Sequence, residues 1–126
     1  MDKPAPGFVI RLAEVRVSRV ELESVLGVEL DRYEPSRRGS THHAQLSMNG
    51  GDEWTAVVEF LKNVGPRIED LIRRGLIGSA SMDFEIFVPT GRVANFSVPI
   101  PAQVASVAGQ NRIDIEVSFY PVSEET

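Results

Sequence analysis

The chain has 126 residues, the length of a single domain, with hydrophobic (42%) and charged (25%) fractions ordinary for a globular protein. It has no cysteine, which excludes disulfides, thiolate metal sites and a Cys nucleophile. Its net charge of −5 disfavours nucleic acid as a partner and permits a basic protein.

Met1 to Pro6 carries Asp2, Lys3, Pro4 and Pro6 and reads as a flexible lead without the apolar core of a signal peptide. No apolar run reaches the length of a membrane span, so the sequence reads as that of a cytoplasmic protein. Phe8, Ile10 and Leu12 alternate with Val9, Arg11 and Ala13, the period of a strand. Val15 and Val17 continue on the opposite phase, so a bulge is expected near Ala13 or Glu14. Ser18 and Glu21 form a capping-box pair for a two-turn helix that Gly27 ends. Val28 and Leu30 suggest a brief strand reaching towards Arg32, Tyr33 to Thr41 a polar loop, and Ala44, Leu46 and Met48 a further strand.

Asp52 is placed to cap the longest helix, whose apolar face is Trp54, Val57, Val58, Leu61, Val64, Ile68, Leu71 and Ile72. Pro66 is expected to kink it, and Gly75 to close it. Ala80, Met82, Phe84, Ile86 and Val88 alternate with Ser81, Asp83, Glu85 and Phe87 in a half-buried strand, with a turn at Thr90 and Gly91. Phe96 and Val98 suggest a brief extension of the sheet. Pro101 suits the first turn of a short helix with Val104, Val107 and Ala108 inward and Gly109 as its stop. Ile113, Ile115, Val117 and Phe119 alternate with Asp114, Glu116, Ser118 and Tyr120 in the cleanest strand of the chain. Ser123 to Thr126 reads as a frayed tail.

The order strand, helix, strand, strand, helix, strand, short helix, strand points to one α+β domain over residues 1–126, with an ordered core at 7–121. The simplest arrangement is a ferredoxin-like split βαβ: an antiparallel sheet with two main helices on one face and a short third helix. The pairing of the strands near Val28 and Ala44 stays open.

Three stretches carry a family resemblance. They are Val25-Leu26-Gly27-Val28 with the polar loop ending at Arg38-Gly39; Trp54 opening a helix that continues through Gly65-Pro66 to Leu71-Ile72; and Phe96 through Pro99, Ala102 and Val104 to Ile113-Asp114-Ile115 and Tyr120-Pro121. Together they resemble the bacterial domain-of-unknown-function 4279 family over most of the chain, Phe8 to Pro121. This chain has Glu29 and Leu30 where such families often carry a proline after the Leu-Gly pair. The resemblance implies a small bacterial domain without an established activity, and no catalytic residue transfers with it. By analogy with other small bacterial domains, an immunity protein that caps a basic toxin is one such role.

His42 and His43, the only histidines, are adjacent and on a strand would point to opposite faces, so they do not share one ion. No Gly-x-Ser-x-Gly elbow, P-loop or dinucleotide fingerprint occurs. Neither an enzyme nor a cofactor or metal is therefore expected. Arg37-Arg38 beside Gly39, and Arg73-Arg74 at a helix end, offer weak phosphate contacts and read more simply as solvated cations. Trp54 reads as a core residue. The strongest local signal is the polar side of two strands: Asp83, Glu85 and Phe87 on one, Asp114, Glu116 and Tyr120 on the other. In one sheet these would form a carboxylate surface edged by aromatics, suited to a basic protein partner. The alternative is a homodimeric small-ligand-binding or regulatory domain associating through a sheet face or edge.

Overall fold

The computed structural model describes residues 4–37, 39–89, 91 and 97–123. Their elements follow the expected order: β1 (Phe8–Val15), α1 (Arg19–Leu26), β2 (Arg32–Pro35), β3 (His42–Met48), α2 (Trp54–Arg73), β4 (Ser79–Pro89), α3 (Ala102–Gln110) and β5 (Ile113–Val122). The five strands form one mixed sheet in the order β2-β3-β1-β4-β5.

Four of these strands pair antiparallel, β2 with β3, β3 with β1 and β1 with β4. The expectation of a wholly antiparallel sheet fails at β5, which pairs parallel to β4 from Ala80↔Ile113 to Pro89↔Val122. Two neighbouring parallel strands need a crossover, and α3 occupies that connection. Of the three helices α2 is long, while α1 and α3 are both short.

Sequence periodicity explains which face is covered. Phe8, Ile10 and Leu12 of β1, Leu46 of β3, Met82 and Phe84 of β4 and Ile113 of β5 point into one hydrophobic cluster. Leu22 and Leu26 of α1, Leu61 and Ile68 of α2, and Val104 of α3 complete it. All three helices therefore cover one side of the sheet, and the alternate residues face away from them. The expected bulge is present: the β1–β3 register shifts between Leu12 and Val15, and Glu14 takes a φ of 52°. That shift returns Val15 to the buried side.

Local chemistry accounts for the differences from expectation. Ser18 caps α1, its Oγ accepting the Glu21 N–H at 3.2 Å, and Gly27 ends it with a left-handed φ of 73°. Val28 and Leu30 do not form a strand, because the Leu30 backbone is already engaged. Its N–H donates to Glu23 Oε2 at 2.8 Å, and its carbonyl accepts from Arg19 Nη2 at 2.6 Å. Strand pairing begins two residues later, within the segment expected to be loop, as the β2–β3 hairpin. The N-cap position of α2 is held by Glu53 rather than Asp52, without a side-chain capping hydrogen bond, and the helix runs continuously past Pro66. Pro66 lies on its exposed side, as does Lys62, where its ring displaces no core residue. Pro101 is the N-cap of α3, one position before its first turn, and Gly109, expected as its stop, lies inside that helix. Val98 belongs to no strand; Phe96, Thr90 and the last three residues lie outside the described residues. The lead is anchored from Pro4, which bridges to Glu53, and Ala5 is buried, its N–H donating to the Asp52 carbonyl at 2.7 Å. No helix of the described residues is long and apolar enough to cross a membrane.

The Glu23 contact makes stability pH-dependent. The Leu30 N–H lowers the Glu23 carboxyl below its ordinary range, with Arg19 adding to the effect and partial burial opposing it. A carboxylate with a depressed folded value contributes stability above its unfolded pKa and loses it as pH falls through the folded value. Glu23→Gln should therefore lower the urea midpoint near pH 7, and the gap to the parent should be smaller at a pH well below the ordinary glutamate value. An equal gap at both pH values would exclude this role.

Candidate functional site: the open face of β4 and β5

The parallel register of β4 and β5 places the six residues singled out from the sequence side by side. Asp83 pairs with Glu116 and Phe87 with Tyr120, while Glu85 lies beside Ser118 and Asp114 beside Ser81. All project from the sheet face that the helices leave uncovered. The rings of Phe87 and Tyr120 meet with centroids 5.5 Å apart and planes inclined at 31°. Phe87 is 62% exposed and Tyr120 39%. Asp114 and Glu116 are exposed and Glu85 half-buried.

Asp83 departs from the expectation of a solvated face. It lies on that face but is only 2% exposed. Its strand is next to the central one, so Val9 and Glu116 flank it, and two longer-range partners close over it. Arg11 Nη1 donates to Asp83 Oδ2 at 2.8 Å, and Ser118 Oγ lies 2.8 Å from both carboxylate oxygens, donating its single proton to the pair. The guanidinium of Arg11 is held above its ordinary value by the Asp83 hydrogen bond. Partial burial opposes this, and the charges of Asp83, Glu116 and Tyr120 reinforce it. Asp83 is thus a buried structural pair rather than a docking group. The four carboxylates Asp83, Glu85, Asp114 and Glu116, less the one that Arg11 neutralises, leave a surplus of three.

Arg11 and Ser118 were not singled out as site residues in the sequence. The one available signal was their outward phase in the β1 and β5 alternations.

The opposite half of the same face is mixed in charge. One row across the sheet reads Arg32, Gln45, Arg11, Ser81, Asp114, with opposite charges at its two ends. A recess of about 310 Å³ lies over this half, lined by Arg11, Arg32, Glu34 and His43 among others. His42 stacks on Tyr33 with centroids 4.4 Å apart, while the exposed His43 lines that recess. Among the described residues no group of three or more His, Cys, Asp or Glu could hold a metal ion.

The other candidates resolve into structural roles. Arg73 pairs with Glu69 and Asp70, and Arg74 with Asp70, within the last turns of α2. Arg37 lines a surface recess with Arg16 and Glu14, and Arg38 lies outside the described residues. Trp54 is half-buried, edge-on to Phe84 at 5.5 Å. At the end of the sheet, beside Phe87, a further recess of about 630 Å³ is lined by Pro4–Gly7, Ser47–Gly51, Glu85–Phe87 and Val98.

No protein-family model matches the chain, and neither a curated protein nor a solved structure matches it.

Proposed function

We propose that the chain is a non-catalytic protein-interaction module that docks a basic partner on the open face of β4 and β5. The observation that carries this reading is the separation of charge. Among the described residues, Glu85, Asp114 and Glu116 form no ion pair, whereas four of the five carboxylates within the helices, Glu23, Glu59, Glu69 and Asp70, do. Next to those three lie two exposed aromatic rings, the residue type that most often anchors an interface. An immunity protein capping a basic toxin is a role of this class, as is any regulator that masks a cationic surface. The order β2-β3-β1-β4 supports reading the first four strands as a ferredoxin-like unit extended by α3 and β5. Membership of the 4279 family is part of the same proposal and rests on the residues quoted above.

The test is capture of the partner from native cells, followed by titration of the purified pair. Asp114→Lys with Glu116→Lys is expected to weaken binding by about tenfold or more and to flatten its salt dependence. Unchanged affinity would exclude this face. Asp83 is unsuitable for the test because reversing it would break a buried pair.

A homodimeric regulatory domain is the second reading, favoured by the charged row. The strand order is symmetric about β1, so a two-fold axis along β1 would set Arg32 of one copy opposite Asp114 of the other. A monomeric mass in solution across the working concentration range would remove it.

A further inference from the structure

We propose that the recess at the end of the sheet takes one arginine or lysine side chain of the docking protein, with Glu85 as its counter-ion and the Phe87–Tyr120 pair as its rim. This rests on the reading of the β4–β5 face as the docking surface for a basic partner, and it assigns that partner an anchoring residue.

The recess lies where the lead from Pro4 to Gly7 crosses the end of β3 and the turn after it. Its floor is bare backbone in close approach. A Cβ on Gly50 would lie 2.8 Å from the Gly7 nitrogen, and one on Gly7 would lie 3.1 Å from the Gly50 nitrogen. Side chains at either position would force the two segments apart, so the pair of glycines shapes the recess. Pro4, Pro6 and Met48 give it apolar walls, and Glu85 is the single charged side chain among the described lining residues. The Glu85 N–H donates to the Gly7 carbonyl at 2.9 Å, which fixes the residue relative to that wall. Phe87 lines the recess, and its ring continues into Tyr120 on the open face.

A volume of about 630 Å³ exceeds the needs of a single long side chain. The chemistry decides which kind enters. An aliphatic stem covers the prolines and Met48, and a terminal cation reaches the carboxylate and the ring faces. An acidic side chain would add to the repulsion of Glu85, Asp114 and Glu116. A wholly apolar one would dehydrate the Glu85 carboxylate without giving it a partner. Arginine meets both requirements and is among the commonest anchors of protein interfaces.

The experiment is an NMR titration of the isotopically labelled protein with a (Gly-Arg)4 peptide and with its uncharged citrulline counterpart. The arginine peptide should shift the amides of Gly7, Gly50, Glu85 and Phe87 together with that of Glu116. Glu85→Gln, with its spectrum confirming an intact fold, should weaken that binding by about fivefold. The citrulline peptide should leave the same amides in place. Shifts at Asp114 and Glu116 with Gly7, Gly50 and Phe87 unmoved would overturn the recess while leaving the docking face standing. Silence in both regions would overturn both.

Discussion

Phe84→Ala is expected to lower the free energy of unfolding by about 3–5 kcal/mol, the largest effect of any single side chain in the chain. Phe84 is fully buried at the middle of β4. Its ring meets Phe8 at 5.7 Å and Trp54 at 5.5 Å, both edge-on, and Phe8 in turn meets Phe60 at 5.9 Å. The Phe84 ring thus joins β4 to the central strand and to the start of α2, and Phe8 carries the contact on to Phe60. Truncation would leave a cavity that those rigid rings cannot close without leaving their edge-to-face geometry. Trp54→Ala should cost less, since Trp54 is half-buried at the first residue of α2. Denaturant unfolding followed by far-ultraviolet circular dichroism gives both values. A Phe84→Ala variant no less stable than Trp54→Ala would contradict this packing.

Arg11→Ala is expected to cost about 2–4 kcal/mol, and adding Asp83→Asn should recover part of it. The asymmetry of the pair sets the size and sign of these effects. The Arg11 side chain is 44% exposed and the Asp83 side chain 3%. Removing Arg11 strands a carboxylate that water does not reach, with Ser118 as its remaining side-chain partner. That places the loss near, but below, the figure for a fully buried pair, because half of the guanidinium is already in water. Asparagine at 83 removes the stranded charge and keeps an acceptor for Ser118 Oγ, so the double variant should be more stable than Arg11→Ala alone. A double variant less stable than Arg11→Ala would show that the Asp83 charge is satisfied without Arg11. Had Asp83 been a solvated docking residue, both substitutions would stay within about half a kcal/mol.

The two expectations separate what a local pattern carries from what it does not. The element order, the Ser18 cap, the Gly27 stop and the bulge before Val15 were legible because each depends on residues within a turn or two of one another. The alternation also assigned Glu85, Phe87, Asp114, Glu116 and Tyr120 to an outward face, since strand period alone sorts residues between two sides. Errors arose where a side chain competes for the backbone. Leu30 reads as a strand residue until Glu23 and Arg19 occupy its amide and carbonyl. Pro66 reads as a kink until its position on the exposed side of α2 is known.

Burial periodicity is written residue by residue, so the α+β class, most of the core and the two sides of β4 and β5 could be read from the chain alone, although Val117 and Phe119 on the apolar side of β5 stay exposed. Packing of the whole chain alone sets β5 parallel to β4 across α3 and Phe87 beside Tyr120. It also brings Asp83 to Arg11 across 72 residues, and Gly7 to Gly50 to shape a recess. The reason is physical. Strand order and register come from the free energy of the whole packed sheet, and no window of neighbouring residues contains the partner that turns an outward carboxylate into a buried one.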